Sequence, residues 1–137
     1  MVCTYCKGKT EITNSRHLAR SNATWRRRRC LKCGALITSI EQADYSKTWM
    51  IYDAQKDKLS PFIRDRLFIS IYDSLRHRRT AIQDANAITA TIIAKLAKIS
   101  SESQIDKTKL IATAHNCLKH FDRAAAVHYQ AYYNQQI

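Results

Sequence analysis

The sequence predicts an α+β protein built from two unlike parts, a short cysteine-paired segment followed by a longer, mainly helical segment with a β-hairpin. Four of the five cysteines form two Cys-x2-Cys pairs within the first 33 residues, and both glycines lie within the first 34. The rest of the chain has one proline and long stretches of apolar residues at three-to-four spacing, which is the helical period. We therefore predict domains at 1–44 and 45–137, with the polar segment 41–47 as the linker.

The length and composition exclude several protein classes. The 137 residues suit one ordinary domain or two small ones, and a hydrophobic fraction of 45% is normal for a globular protein. The chain has no run of 18 apolar residues and no apolar signal-peptide core, so we expect a cytoplasmic protein that does not interact with membranes. In that reducing compartment, paired cysteines are more often metal ligands than disulfides.

The cysteine spacing predicts a four-thiolate Zn²⁺ site in a zinc ribbon. Twenty-three residues separate two Cys-x2-Cys pairs, whose members are Cys3, Cys6, Cys30 and Cys33. Each pair needs a residue that tolerates positive φ after its second cysteine; Gly34 directly follows one pair, and Gly8 lies two residues after the other. Two disulfides, a redox pair and an iron–sulfur cluster are the alternatives. A closed four-cysteine site leaves no open coordination position, so this zinc would be structural.

Positive charge is concentrated beside the cysteines. The net charge is +12, and residues 1–48 carry ten Lys/Arg against three Asp/Glu, whereas residues 49–137 carry thirteen against eight. Such a basic segment attracts nucleic acid, although a solvated basic face is the simpler alternative. Residues 25–29 are predicted to form a strand, whose alternation would point successive arginines to opposite faces. The candidate DNA contacts are Arg16, Arg20, Arg26, Arg27, Arg28, Arg29 and Lys32.

The second part is predicted to be a β-hairpin over a helical bundle. Residues 49–52 and 58–62 would be the two strands, and residues 54–57 the turn between them. Capping residues are expected at Thr80, paired with Gln83 in a capping box, at Asp106 and at Asp122. Four apolar helix faces are predicted, formed by Leu67, Phe68, Ile71 and Leu75; by Ile82, Ala85, Ile88, Ile92, Leu96 and Ile99; by Leu110, Ile111, Ala114, Cys117 and Leu118; and by Ala126, Val127, Tyr129 and Tyr133.

Several motifs along the chain resemble those of the NrdR family, bacterial repressors of ribonucleotide reductase genes with a zinc ribbon and an ATP-cone. The resemblance covers nearly the whole chain. Its N-terminal motifs are the first cysteine pair, Ile12-Thr13-Asn14-Ser15-Arg16, the arginine run before Cys30-Leu31-Lys32-Cys33, and Ile37-Thr38-Ser39-Ile40-Glu41. The weaker C-terminal motifs are Pro61-Phe62 followed by Arg66-Leu67, and the tail from Leu118 to Tyr133.

The resemblance implies a transcriptional repressor that binds double-stranded promoter DNA and forms homo-oligomers controlled by ATP or dATP. The residues that would contact nucleotide are Ile51, Tyr52, Lys56, Lys58 and Arg66. The chain departs from the family at the hairpin, where the Asp-Gly turn is missing and Tyr52 or Ala54 takes the place of a lysine. Altered nucleotide specificity and a purely structural cone are the two alternatives that follow.

Two other functional classes compete with a DNA-binding repressor. One is a basic zinc-ribbon module that binds RNA or the ribosome, with a helical domain that binds no nucleotide. The other is an enzyme, but the five histidines are scattered, and the sequence has no nucleophile–base pairing or glycine-rich phosphate loop. We therefore expect no catalytic activity.

Overall fold

The protein folds into two compact units, Met1–Ala43 and Asp44–Ile137. The computed structural model describes residues 1–100 and 103–134, except for the side chain of Asn134. Sheets and helices occur together, and the predicted α+β class is confirmed. Within the described residues, none of the helices has both the length and the apolar character needed to cross a membrane.

The first unit is a three-stranded antiparallel sheet with almost no apolar core. Its strands are β1 (Thr10–Leu18), β2 (Ala23–Cys30) and β3 (Leu36–Gln42), and β2 lies between the other two. The arginine run forms a strand, as predicted, and that strand is the central one. Only Cys3, Ala23 and Cys30 are buried in residues 1–43, so apolar burial cannot hold this sheet together.

The boundary between the two units falls inside the predicted linker at 41–47, but most of that segment is regular secondary structure. Glu41 and Gln42 are the last residues of β3, where they pair with the start of β2. Tyr45–Lys47 form a 3-10 helix, and the Asp44 carboxylate caps it by accepting a hydrogen bond from the Ser46 N–H at 3.0 Å. Polar composition misled the prediction, because an exposed strand end and a capped turn are as polar as a linker.

The second unit contains the predicted hairpin and one strand that sequence reasoning missed. Strands β4 (Met50–Asp53) and β5 (Lys58–Pro61) are antiparallel, and Asp57 in the turn has a positive φ of 45°. The additional strand β6 (Gln104–Asp106) runs parallel to β4 and buries Ile105. Three residues are too few to show an alternating pattern.

Four helices complete the second unit: α1 (Arg64–Leu75), α2 (Ala81–Ile99), α3 (Lys107–Phe121) and α4 (Arg123–Asn134). The predicted face of α2 was partly wrong, because Ile82 and Ile99 are 62% and 55% exposed. Ala81 takes the buried position at the start of the stripe, and Thr89 is buried within it. On α4, Val127 is 67% exposed instead of buried. The other predicted faces supply most of the core, which includes Leu67, Ile71, Leu75, Ile92, Leu96, Leu118 and Tyr129.

One of the three predicted helix caps forms as expected. The Asp122 carboxylate accepts a hydrogen bond from the Ala125 N–H at 3.1 Å. The capping box at Thr80 and Gln83 was wrong, because the Thr80 hydroxyl donates to the Asp84 carboxylate at 2.7 Å instead of capping the backbone. Asp106 occupies the N-cap position of α3 but makes no side-chain cap hydrogen bond.

Candidate metal centre and nucleic-acid interface

The four predicted ligands meet at one point of the first unit. The sulfurs of Cys3, Cys6, Cys30 and Cys33 all lie within 4.8 Å of one another. The Sγ atoms of Cys3 and Cys33 are 3.7 Å apart, and those of Cys6 and Cys30 are 3.4 Å apart. A tetrahedral ion with Zn–S bonds of about 2.3 Å separates its sulfurs by about 3.8 Å, whereas a disulfide joins them at about 2.0 Å. The donor set and its spacing therefore fit zinc and exclude disulfides in this arrangement.

The two cysteine pairs sit in loops with the same backbone hydrogen bonds. The N–H of Cys3 donates to the Gly8 carbonyl at 2.8 Å, and the N–H of Cys30 donates to the Ala35 carbonyl at 2.9 Å. The Lys7 N–H donates to the Cys3 carbonyl and the Gly34 N–H to the Cys30 carbonyl, both at 3.0 Å. Each pair of cysteines is thus presented by the same kind of tight turn.

The two glycines serve these turns in different ways. Gly34 has a φ of +71°, which confirms the expected left-handed position after Cys33. In the first loop that position is occupied by Lys7, with a φ of 59°, and not by Gly8. A Cβ on Gly8 would lie 3.3 Å from the sulfurs of Cys6 and Cys30 and 3.0 Å from the Cβ of Lys32. Gly8 is therefore required for close approach of the backbone to the sulfurs.

The electrostatics of the cluster favour a bound cation. The N–H groups of Cys33 and Lys32 donate to the Cys30 sulfur at 3.5 and 3.4 Å, and these bonds lower the pKa of that thiol to about 6. At Cys6, a backbone hydrogen bond from Gly8 lowers the pKa, but the sulfurs of Cys30 and Cys33 outweigh it and raise the pKa to about 12. Four adjacent thiolates repel one another, and a divalent ion removes that repulsion.

The central strand divides its four arginines between two faces. The first, which we call the Arg27 face, carries Arg27 and Arg29, with Arg16 on β1 opposite Trp25. All three arginines are exposed. The β3 residues that share this face are also exposed, namely Leu36, Thr38 and Ile40. This face can approach a flat anionic partner without rearrangement of side-chain contacts.

The opposite face, which we call the Arg26 face, holds its arginines in contacts within the sheet. Arg26 forms an ion pair with Glu41, and Arg28 Nε donates to the Ser39 hydroxyl at 3.1 Å. Both arginines are partly buried. The other two candidate DNA contacts are exposed outside the strand, Arg20 in the turn between β1 and β2 and Lys32 in the second cysteine loop.

A cavity of about 220 Å³ lies at the hairpin of the second unit. Its lining comes from the hairpin residues Tyr52, Asp53, Ala54 and Gln55 and from Asp106, Lys107, Thr108 and Ile111. Of the five predicted nucleotide contacts, only Tyr52 lines this cavity. Lys56, Lys58 and Arg66 are exposed outside it, and Ile51 packs against the core.

The charges of the cavity do not fit a polyphosphate. Lys107 Nζ lies 2.9 Å from the Asp53 carboxylate, and this contact lowers the pKa of Asp53. Asp106 adds a second carboxylate, so the lining carries two acidic groups against one lysine. Sequence reasoning did not single out Lys107 or Asp53, because their contact joins residues that are 54 positions apart.

Comparisons with known proteins agree with the fold of the first unit. The family model described as "Transcriptional repressor NrdR-like, N-terminal domain" matches residues 1–41. The "Transcriptional repressor NrdR" of Pelagibacter ubique is 28% identical over 134 residues, which are 97% of this chain and 86% of the relative. The chain is therefore similar to NrdR repressors over nearly its whole length. The protein of the same name from Sinorhizobium fredii is 28% identical, covering 97% and 83% of the two chains, and that from Staphylococcus carnosus is 24% identical, covering 98% and 85%.

These relatives agree with two further expectations from the sequence. Their alignments extend through the second unit, so the likeness is not confined to the ribbon. They are named as transcriptional repressors, which is a non-enzymatic role, in agreement with the expectation that the chain is not an enzyme.

Proposed function

We propose that the protein is a transcriptional repressor that binds promoter DNA through the Arg27 face of its zinc ribbon. The observation that carries this proposal is the exposed set of Arg16, Arg27 and Arg29 on a sheet held by the four-cysteine site. The names of the NrdR relatives support a role on DNA.

The arginines of the two faces differ in their readiness to bind an anion. A guanidinium group offers a planar set of donors that fits a phosphate or the edge of a guanine. On the Arg26 face, the Glu41 carboxylate already occupies donors of Arg26, and the Ser39 hydroxyl occupies the Nε donor of Arg28. On the Arg27 face, the described residues place no carboxylate within ion-pairing distance of the three arginines. DNA binding there would not require any of these side-chain contacts to break.

Two double variants with the same charge loss test the choice of face. Arg27→Ala/Arg29→Ala removes two positive charges from the Arg27 face, and Arg26→Ala/Arg28→Ala removes two from the opposite face of the same strand. Each zinc-loaded variant would be titrated with a duplex from the promoter of a ribonucleotide reductase gene and with a shuffled duplex of equal length. We expect the first variant to lose more affinity and to reduce the salt slope by about 1.8. A larger loss in the second variant would assign DNA binding to the other face.

The same titrations separate the proposal from the RNA-binding alternative. A repressor must bind the promoter duplex more tightly than the shuffled duplex at physiological salt. If the wild-type protein binds both duplexes equally, or binds single-stranded RNA more tightly than either, a role as a promoter-specific repressor is wrong.

Control of oligomeric assembly by ATP or dATP is a separate part of the proposal. It is supported by the resemblance of the second unit to an ATP-cone, while the acidic lining of the hairpin cavity opposes it. The candidate cations are Lys56, Lys58 and Arg66, which would need to bind phosphates outside that cavity. Calorimetry with each nucleotide, run with native mass spectrometry, tests this part. No heat and no change of oligomer at millimolar nucleotide would remove it and leave DNA binding unaffected.

A further inference from the structure

We propose that one end of the helical bundle is a second nucleic-acid contact, which binds duplex phosphates without reading bases. This surface, which we call the basic end, consists of residues 76–79, just after α1, and residues 119–123, around the junction of α3 and α4. The inference rests on the proposed function, because it gives the same DNA a second site of attachment.

A network of charged side chains holds the two segments of the basic end together. His77 Nε2 lies 3.0 Å and Arg78 Nη1 lies 3.1 Å from the same carboxylate oxygen of Asp122. Arg78 Nε also donates to the Asp84 carboxylate at 2.8 Å, and its guanidinium lies 4.8 Å from the centre of the Phe121 ring. Segments more than 40 residues apart in sequence therefore form one surface.

The basic end is dense in positive charge. Its nine residues include five Lys/Arg and two histidines against one acidic residue, Asp122. The Asp122 side chain is only 12% exposed and is engaged by His77, Arg78 and the backbone of Ala125, so it contributes little negative charge to solvent.

Three of the cations at the basic end are available to a partner. Arg79, Lys119 and Arg123 are exposed. Across residues 1–100 and 103–134, none of the three has a carboxylate within ion-pairing distance. Arg76, by contrast, is engaged by Asp73 at 3.1 Å. The surface thus offers three uncompensated cations on a backbone that Arg78 and Asp122 fix in place.

Phosphate is the partner chemistry that best fits this arrangement. Polyanion binding needs several cations at fixed positions, and nucleic acid supplies a regular row of phosphates. The hairpin cavity is lined by other residues, and the basic end exposes one large aromatic ring, Phe121, at 45%. Exposed cations of this kind suit contact with the phosphate backbone, which positions a protein on DNA without reading its sequence.

The test compares two double variants of the zinc-loaded full chain. Arg79→Ala/Arg123→Ala removes two charges from the basic end. Lys95→Ala/Lys98→Ala removes two exposed charges from α2 near its opposite end, roughly 20 Å along the helix from Ala81. The probes are the promoter duplex, the shuffled duplex and polyglutamate, and affinity is measured at several salt concentrations.

We expect the Arg79/Arg123 variant to reduce the salt slope on both duplexes by about 1.8 and to leave the preference for the promoter unchanged. Between about 50 and about 200 mM salt, the wild-type affinity would then fall about twelvefold more than that of the variant. The Lys95/Lys98 control should keep the wild-type slope.

Other outcomes would overturn the inference. If the wild type prefers the promoter and the Arg79/Arg123 variant keeps its slope, the inference is wrong while the proposed repressor function stands. If the test variant and the control lose equal salt slope, the effect depends only on overall charge, and this result would also contradict the inference. Loss of polyglutamate binding without any change on DNA would assign the surface to an acidic protein. Equal weak binding of the wild type to both duplexes, with the slope still reduced, would support the surface and contradict the repressor function.

Discussion

Replacing each of the two glycines by alanine should weaken zinc binding for different reasons and to different extents. Gly8→Ala places a methyl group 3.3 Å from the sulfurs of Cys6 and Cys30 and 3.0 Å from the Cβ of Lys32. Gly34→Ala places its methyl group in open space but forces alanine into a φ of +71°. The first substitution therefore crowds the metal centre, and the second only strains the backbone.

The structure sets the order of the two effects. A left-handed backbone conformation costs a non-glycine residue about 1 kcal/mol, which corresponds to roughly a fivefold loss of zinc affinity when folding and binding are coupled. The neighbours of Gly8 cannot move aside easily, because two are metal ligands and the third is a Cβ fixed to its backbone. Overpacking of this kind costs about 2–3 kcal/mol, or about a 30- to 150-fold loss of affinity.

Competition with a chelator of known affinity measures both variants. Far-UV circular dichroism during the chelator titration would follow the loss of the strands and the retention of the helices. If Gly34→Ala weakens zinc binding as much as Gly8→Ala, or if Gly8→Ala has no effect, the role assigned to Gly8 is wrong. A Gly34→Asn variant is a useful control, since asparagine tolerates left-handed φ and should lose less affinity than alanine.

Two further predictions concern Asp122. Asp122→Ala should lower the free energy of unfolding of the helical unit by about 2 kcal/mol, since it removes a helix cap and the partner of His77 and Arg78. The control Asp73→Ala breaks only the exposed pair with Arg76 and should cost less than about 0.5 kcal/mol. Equal losses of stability in urea unfolding would contradict the network. The hydrogen bond from the Ala125 N–H and the contact with His77 lower the pKa of Asp122 to about 2 from 3.8, so its stabilisation should be complete above the unfolded value and be lost as the pH falls through the folded one. If the difference in free energy of unfolding between wild type and Asp122→Asn stays constant from neutral pH to pH about 2, this pH dependence is wrong.

The ribbon could be predicted because its determinants are local. A two-residue gap between cysteines fixes both sulfurs of a pair, and the turn that follows needs left-handed φ at the next residue. The rule holds at Gly34 and also at Lys7, which directly follows Cys6; the assignment of Gly8 to that role was wrong. The reason for Gly8 depends on the sulfur of Cys30, 22 residues away, and no local pattern reports such a contact.

The errors in the helical unit have a different origin. Helical periodicity locates a stripe only to within one residue, so it does not separate the exposed Ile82 from the neighbouring buried Ala81. Similarly, the interaction of Thr80 with Asp84 competes with the predicted capping box, and the sequence allows both. The pairing of Lys107 with Asp53 requires that β6 lie beside β4, which a three-residue strand does not reveal.

The metal site and the arginine strand are energetically linked. Four consecutive arginines in the central strand repel one another, and Glu41 is the only acidic side chain in residues 1–43 that forms an ion pair with any of them. The three buried side chains of this unit provide too little apolar surface to offset that repulsion, since two of them are metal ligands. Zinc binding must therefore supply the free energy that keeps the arginines in an ordered strand. It follows that the same ion makes a dense positive face compatible with a folded ribbon.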